Sequence, residues 1–378
     1  MSTGTASTTA ATPTTAAIPP AAAGSSVAAI PTIILGGTGY VSGELLRLLA
    51  AHPQFRLAGI LSDSKPGESV AAAFNHLAPV YPEERFCDLA AVEAIVRRES
   101  RPAIFSALPH GTAAALIDSL LKVAEQAGTR PRVVDISADF RFRSANAYEA
   151  VYHHPHGAPA RLAEFTCAVP EHLAQTPAQH VAHPGCFSTA TLLASVPLLA
   201  LGLVEPQLFV SAVTGSTGSG RKPSEGTHHP ARNSDLYAYN VLAHRHGPEI
   251  AAVAQAASGI EAQFAFVPHS GPFARGIHAT VQARLRKPMD SAGLLGAFNE
   301  FYAGQPFVRV GPKPPRVKEV AASNYANLGV ASDGHTVAVM CVVDNLVKGA
   351  AGGAVQWMNR LYGLPQTAGL TAPAPGWT

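Results

Sequence analysis

Ile33-Ile34-Leu35-Gly36-Gly37-Thr38-Gly39-Tyr40-Val41-Ser42-Gly43 is the stretch on which the fold turns. Its apolar start reads as a buried parallel strand, and its glycine-rich turn leads into Leu45, Leu46, Leu48 and Leu49 at helical spacing. Arg56 to Leu61 reads as the next strand, which completes a βαβ unit. Further out, short apolar runs recur at Ala103 to Leu108, Val133 to Ile136 and His180 to Ala182. Helical patterns at Ala90 to Arg98 and Thr112 to Ala127 separate several of them. Strands alternating with helices predict a doubly wound parallel sheet, an α/β architecture. After Cys186 the pattern changes. Thr189 to Leu201 reads as a buried helix, and four β-rich runs follow with few helices between them: Leu208 to Val213, Gln263 to Val267, Ile277 to Leu285 and Thr336 to Val343. Ile277, Ala279, Val281 and Ala283 alternate with His278, Thr280, Gln282 and Arg284, as in a half-solvated antiparallel sheet. The second half is therefore expected to be α+β, closed by a helix over Asn345 to Leu361.

The 378 residues suit one large or two medium domains, and an apolar content of 47% supplies a sizeable core. A net charge of +2 provides no general attraction to nucleic acid or an anionic membrane. Thr189 to Leu203 is too short to span a bilayer and is interrupted by Pro197. The four cysteines lie far apart without a C-x-x-C pair, so neither a zinc site nor a disulfide framework is expected. Met1 to Ala28 are nearly all Ala, Thr, Ser and Pro without a charge, which reads as a disordered tail. They hold no basic n-region, and the first arginine is Arg47, so a cytoplasmic enzyme is expected.

Chemistry concentrates in four places. The turn from Gly36 to Gly43 sits between strand and helix, where glycines let a backbone approach a pyrophosphate and the helix start attracts its charge. The next strand ends at Ser62-Asp63-Ser64-Lys65, whose hydroxyls and ammonium suit a 2′-phosphate and favour NADP over NAD. In His183-Pro184-Gly185-Cys186, a cysteine follows a Pro-Gly turn and precedes a helix, a position that favours thiolate. Arg221, Arg245, His244 and His246 lie in polar segments beyond it and supply anion binding and acid–base chemistry. The histidine spacing matches no zinc template.

Six motifs, in order, resemble the N-acetyl-γ-glutamyl-phosphate reductase family. They are Gly36-Gly37-Thr38-Gly39-Tyr40 with Glu44 to Arg47; Ala107-Leu108-Pro109-His110-Gly111; Asp135 to Arg141; Pro184-Gly185-Cys186; His244-Arg245-His246 with Glu249-Ile250; and Asp344 to Ala350. The resemblance implies a Rossmann-like domain (29–185), a catalytic α+β domain with a mainly antiparallel sheet (186–343), and a C-terminal helix (344–378) that returns to the first domain. It implies NADP(H) as cofactor, an acyl phosphate as substrate, a homodimer or homotetramer, and arginine biosynthesis as the setting. Cys186 would be the nucleophile, His246 the base and His244 a positioning residue. Gly36, Thr38, Gly39, Tyr40, Val41, Ser62, Ser64, Lys65, Pro109, His110, Gly185 and Asn345 would line the cofactor groove. Arg141, Arg221 and Arg245 would meet substrate anions. Phe187-Ser188 replaces the family's usual Tyr-Pro or Tyr-Ala after the nucleophile, and Ser42 stands at the third glycine of the loop. Thr227-His228-His229-Pro230 is similar to the lysine-pathway relative that reduces a carrier-bound aminoadipyl phosphate, which is the alternative substrate. A cysteine hydrolase on an α/β scaffold is the alternative of another class.

Overall fold

The computed structural model describes residues 29–177 and 179–377. The tail expected over 1–28 lies outside the described residues. The first half runs β1 (Ile30–Leu35), α1 (Tyr40–Ala50), β2 (Phe55–Leu61), α2 (Val70–Ala73), α3 (Leu89–Arg98), β3 (Ala103–Ser106), α4 (Ala113–Ala127), β4 (Arg132–Asp135), α5 (Ala145–Tyr152), β5 (Phe165–Cys167) and β6 (His180–Ala182). Its six strands pair in parallel in the order β2-β1-β3-β4-β6-β5. Both faces of β1 are buried. Ile34 packs with Leu45 and Leu46 of α1, whereas Ile33 and Leu35 pack with Val92 of α3 and Ile117 of α4. That is why β1 reads as a continuous apolar run. From β1 the chain crosses to β2 on one side and then to β3 on the other. The direction of winding reverses there, which opens a crevice beyond the carboxyl ends of β1 and β3.

The second half runs α6 (Cys186–Ala200), β7 (Val204–Thr214), α7 (His229–Arg232), β8 (Tyr237–Ala238), α8 (His246–Ser258), β9 (Gln263–Ser270), β10 (Ile277–Met289), α9 (Ser291–Phe301), β11 (Val308–Gly311), β12 (Ala326–Ser332) and β13 (Gly334–Val343). Its seven strands lie in the order β11-β12-β13-β10-β7-β9-β8. Four neighbouring pairs are antiparallel, and two, β11 with β12 and β7 with β9, are parallel. Ile277, Ala279, Val281 and Ala283 point into the core against α6. The expectation of few helices needs correction, because α8 and α9 both lie in this half. The turn residues His246-Gly247-Pro248 open α8, and Gly293 and Gly296 interrupt α9, so neither reads as a helix from residue types alone. In α9, Asp290 accepts the Gly293 N–H at 2.8 Å and caps the start.

The last helix also differs from its expected form. Asn345 precedes it, Val347–Ala351 form a turn of π-helix, and α10 proper is Gly352–Leu361. Val355, Trp357, Met358 and Leu361 of α10 are buried with Ile34 and Leu45, in the core of the first sheet. Trp357 Nε1 donates to the Ala168 carbonyl at 2.9 Å and ties the helix down. Among the described residues no helix is long and apolar enough to cross a membrane.

Candidate active site

Residues from five loops meet at one edge of the first sheet, because each follows the carboxyl end of a parallel strand. They are Gly36–Tyr40 after β1, Ser62–Lys65 after β2, Pro109–His110 after β3, Asp139–Arg141 after β4, and His183–Cys186 after β6. Helix α6 is apolar on every side and buried from Phe187 to Leu199, so its start is held rigidly. Cys186 is its first residue. Gly185 at the N-cap supplies no side-chain cap, which leaves first-turn N–H groups without an intrahelical acceptor.

The ground beneath Cys186 is wired by charge. Gly185 N–H donates to Glu249 Oε1 at 2.7 Å, and Arg141 Nη1 donates to Glu249 Oε2 at 3.0 Å. Arg141 also donates to the carbonyls of His183 at 3.0 Å and Ile136 at 2.7 Å. A Cβ on Gly185 would collide with His246 Nε2 and stand 2.9 Å from Arg141 Nη1. The imidazole of His246 therefore lies directly against the Gly185–Cys186 peptide. From the other side, a Cβ on Gly349 would stand 2.8 Å from Cys186 Cβ. His246 N–H donates to His244 Nδ1 at 3.1 Å, so His244 braces the start of α8. The Nδ1 of His246 is buried without a partner, and no protein group fixes its tautomer.

The electrostatics correct one expectation. Burial pushes the Cys186 thiol up, and the opposing pull of Arg141, the Phe187 N–H and Arg245 does not overcome it. Burial, followed by His244, Arg141 and Arg245, holds His246 well below its ordinary value, so its imidazole is neutral and able to accept a proton. Burial and Arg245 take His244 down to about 4, and burial with Arg141 and Arg245 takes His110 down to about 3. His110 Nδ1 accepts the Ala138 N–H at 2.9 Å, which fixes its ring orientation.

The three arginines expected at substrate anions divide. Arg141 is buried, its side chain 3% exposed, and it serves the Glu249 pair instead. Arg221 reaches the glycine loop, donating to the Thr38 carbonyl at 3.1 Å and the Ala73 carbonyl at 2.8 Å. It lies over the Phe74 ring, on the cofactor side. Arg245 is exposed and has no hydrogen bond or ion pair among the described residues, while its charge is felt at Cys186 and His246. Asn345, expected to line the cofactor groove, has its amide engaged within the protein. Its Oδ1 accepts the Gly276 N–H at 2.7 Å and its Nδ2 donates to Thr217 at 3.0 Å. His228 and His229 are exposed at the start of α7.

The residues fit a dinucleotide. Gly36 has φ +87°, and a Cβ there would stand 2.7 Å from the Ala107 carbonyl, so the loops after β1 and β3 touch and only glycine fits between them. Ser42 Oγ donates to the Gly36 carbonyl at 2.7 Å and holds the loop's shape. Gly39, the N-cap of α1, has no side-chain cap, and among the described residues nothing beyond its own chain neighbours comes within 4 Å of where its Cβ would be. That cradle is open to an anion. Tyr40 and Val41 begin α1, and Pro109 and His110 border the loop after β3. Gly37 N–H donates to the Leu61 carbonyl at 2.7 Å, which sets the segment after β2 beside the loop. Ser62 and Ser64 lie with their hydroxyls 3.4 Å apart, and Lys65 pairs with Glu68 at 2.6 Å.

Sequence reasoning did not assign Glu249, although it lies three residues after His246, on the same side of a helix. It also missed Tyr152, whose buried hydroxyl has no partner among the described residues and whose ring lies 6.1 Å from that of His110. Tyr239 was missed too, with its ring 5.6 Å from that of His244. Neither tyrosine carries a local signal.

Residues 32–176 match the family model for the NAD binding domain of semialdehyde dehydrogenase, and 186–345 match that for its dimerisation domain. A curated N-acetyl-gamma-glutamyl-phosphate reductase of Symbiobacterium thermophilum is 39% identical over 357 residues, covering 90% of this chain and 97% of that protein. One of Ectopseudomonas mendocina is 41% identical over 348 residues, covering 90% of this chain and 98% of its own length. Aspartate semialdehyde dehydrogenase II of Vibrio cholerae shares the fold with a TM-score of 0.65 at 15% identity, covering 89% of this chain and 99% of that one.

Proposed function

This chain belongs to the N-acetyl-γ-glutamyl-phosphate reductase family, and on that premise we propose that it reduces N-acetyl-L-glutamyl 5-phosphate to the 5-semialdehyde in arginine biosynthesis, using NADPH and releasing phosphate. The observation that carries the reading is Cys186 at the uncapped start of α6, with a neutral His246 against Gly185. In this reading Cys186 is the nucleophile. Its thiol proton passes to the His246 imidazole as Sγ attacks the acyl carbon. The C–O bond to phosphate breaks, phosphate leaves with the electron pair, and the acyl group stays on Sγ as a thioester. The dinucleotide, when bound, supplies the hydride that reduces this carbonyl. N–H groups at the start of α6 stabilise the oxyanion, which then re-forms C=O and expels the cysteine sulfur as the aldehyde departs. His246 returns a proton to that sulfur, and His244 keeps the start of α8 in place.

The glycine loop, with Gly36, Thr38, Gly39, Tyr40 and Val41, holds the pyrophosphate, and Ser62, Ser64 and Lys65 hold the 2′-phosphate. Arg245, exposed next to the buried His244 and His246 in sequence, receives a substrate anion. The carrier-bound alternative rests on the exposed Thr227–Pro230 segment, while both relatives are named for the glutamyl substrate. The glycine cradle counts against a cofactor-free hydrolase. We further assign a cytoplasmic location and a homodimer or homotetramer, a reading supported by the match of residues 186–345 to a dimerisation domain. The test is phosphate-dependent NADP⁺ reduction with N-acetylglutamate semialdehyde, run beside carrier-bound aminoadipate semialdehyde. Turnover with the first alone is expected. Turnover with the second alone, or with neither by folded protein that binds NADPH, overturns the substrate assignment.

A further inference from the structure

Lys348 and Glu171 have no part in the reaction as derived, yet both side chains are fully buried, with Nζ and Oε1 2.5 Å apart. Gln356 closes the group. Its Oε1 accepts from Lys348 at 2.8 Å, and its Nε2 donates to Glu171 at 2.9 Å. Asn324 Nδ2 donates to the same Gln356 oxygen at 3.1 Å. The cluster joins the turn at Pro170–His172, the π-turn Val347–Ala351, the helix α10 and the loop before β12. A buried ion pair rarely adds more stability than apolar residues of the same volume, whereas it does specify one register.

The part whose register it sets is the wall behind the nucleophile. Lys348 is the neighbour of Gly349, which touches Cys186 so closely that a Cβ would stand 2.8 Å from Cys186 Cβ and 3.0 Å from its Cα. One turn later, a Cβ on Gly353 would collide with the His183 imidazole, in the loop that carries Cys186. The turn is stretched to five-residue hydrogen bonds: Gly349 N–H to the Asp344 carbonyl and Ala351 N–H to the Leu346 carbonyl, each 2.9 Å. Such turns are rare and cluster at functional sites. Asp344 Oδ1 anchors the start by accepting the N–H groups of Leu346 at 2.8 Å and Val347 at 2.9 Å. Lys348 anchors the middle.

We propose that the Lys348–Glu171 pair is a positioning device for the reaction: it holds the π-turn so that Gly349 seats Cys186 at the substrate carbonyl. The inference rests on Cys186 as nucleophile. Removing one partner strands a buried charge, so the informative variant is the neutral double replacement Glu171→Gln/Lys348→Met. It is compared with the parent by thermal melting, by kcat and KM for the semialdehyde and NADP⁺, and by the rate at which iodoacetamide alkylates Cys186. A folded double variant is expected to lose roughly 10- to 100-fold in kcat, the cost of displacing a reacting group by about 1 Å, with KM for NADP⁺ within about twofold. The alkylation rate of Cys186 is expected to change with kcat. Parental kcat and alkylation rate in the folded double variant overturn the proposal. If the double variant does not fold, Glu171→Asp decides. It keeps both charges and draws the carboxylate back by one methylene, so a lowered kcat at unchanged KM supports the device and an unchanged kcat overturns it. Cys186→Ser run in parallel separates the two readings. Turnover retained there removes the nucleophile assignment itself, whereas loss there beside a fully active double variant removes only the positioning role.

Discussion

The starts of α1 and α6 share one backbone plan. Each follows a strand of the first sheet, each has an extended glycine at its N-cap, Gly39 or Gly185, and neither has a side-chain cap. Their surroundings differ. Around Gly39 nothing among the described residues beyond its chain neighbours comes within 4 Å of a would-be Cβ, while Gly185 is hemmed in by His246 and Arg141 and donates to Glu249. The open start offers its N–H groups to an anion arriving from outside. The enclosed start holds Cys186, the nucleophile of the proposed reaction, in place. Magnitudes show why the two cannot be read alike. A helix start favours a negative charge by about 0.3–2 kcal/mol. Burial can shift a pKa by up to ~3–5 units when it is complete, each worth about 1.4 kcal/mol, and the half-buried Cys186 feels part of that effect. At Cys186 burial wins, and the thiol is pushed up in spite of the helix.

The strongest way to break the contrast is Cys186→Ser. It should abolish at least about 10³-fold of turnover while leaving the melting temperature and NADPH binding intact, because the proposed reaction runs through the Cys186 sulfur. Cys87, Cys167 and Cys341 replaced by alanine should keep turnover, and loss in any of them without unfolding would move the nucleophile elsewhere.

A matched pair of alanines sharpens the contrast next. Gly185→Ala drives a methyl into His246 and Arg141 and should lower kcat by about 10²-fold. Gly39→Ala meets open space. It should fold normally and act on KM for NADPH, leaving kcat within a few fold. Equal effects on kcat at the two glycines would erase the distinction drawn here.

The pH dependence of alkylation is a smaller effect with a definite sign. Burial disfavours the thiolate, so the rate at Cys186 should rise with pH and reach its midpoint above the ordinary cysteine value of about 8.5. Burial disfavours the charged imidazole of His246 in the same way. Turnover should therefore show no histidine limb near the ordinary ~6.5 as pH falls from about 8 to about 6. A midpoint below 8 for alkylation would mean that the helix field, and not burial, governs the thiol.

The smallest effect is expected at the open site. Lys65 is half-exposed and already paired with Glu68, so Lys65→Ala should raise KM for NADPH only about threefold, with NADH unaffected. An equal change for both cofactors would take the 2′-phosphate away from Lys65.

The first half of the chain is legible because its information is local. Ile33-Ile34-Leu35 before Gly36-Gly37 is a buried strand and a tight turn whatever packs on it, and Gly36 at φ +87° is the kind of position only glycine suits. The second half reads less well. Its strands alternate cleanly, but α8 opens on the turn residues His246-Gly247-Pro248 and α9 carries Gly293 and Gly296, which mask the helical spacing of Ile250 with Val253 and of Leu294 with Phe298. The site divides in the same way. Cys186 and His246 stand out by residue type and neighbourhood. Tyr152 and Tyr239 are reached only through folding.

Residue order alone encodes the βαβ start, the glycine turn that opens α1, the cysteine at the head of an apolar helix, and the family. It does so because strands, turns and helix starts depend on residues within a few positions of one another. Only the tertiary structure decided what each charge does. Arg141, Arg221 and Arg245 are the same residue type in similar polar settings, yet one supports Glu249, one rests on the glycine loop, and one is exposed with no partner among the described residues. Their partners lie 108 and 183 residues away for the first two, and no local pattern encodes a contact at that range. The protonation of Cys186 was decided there as well, since burial is a property of everything packed around the thiol and not of the helix that bears it.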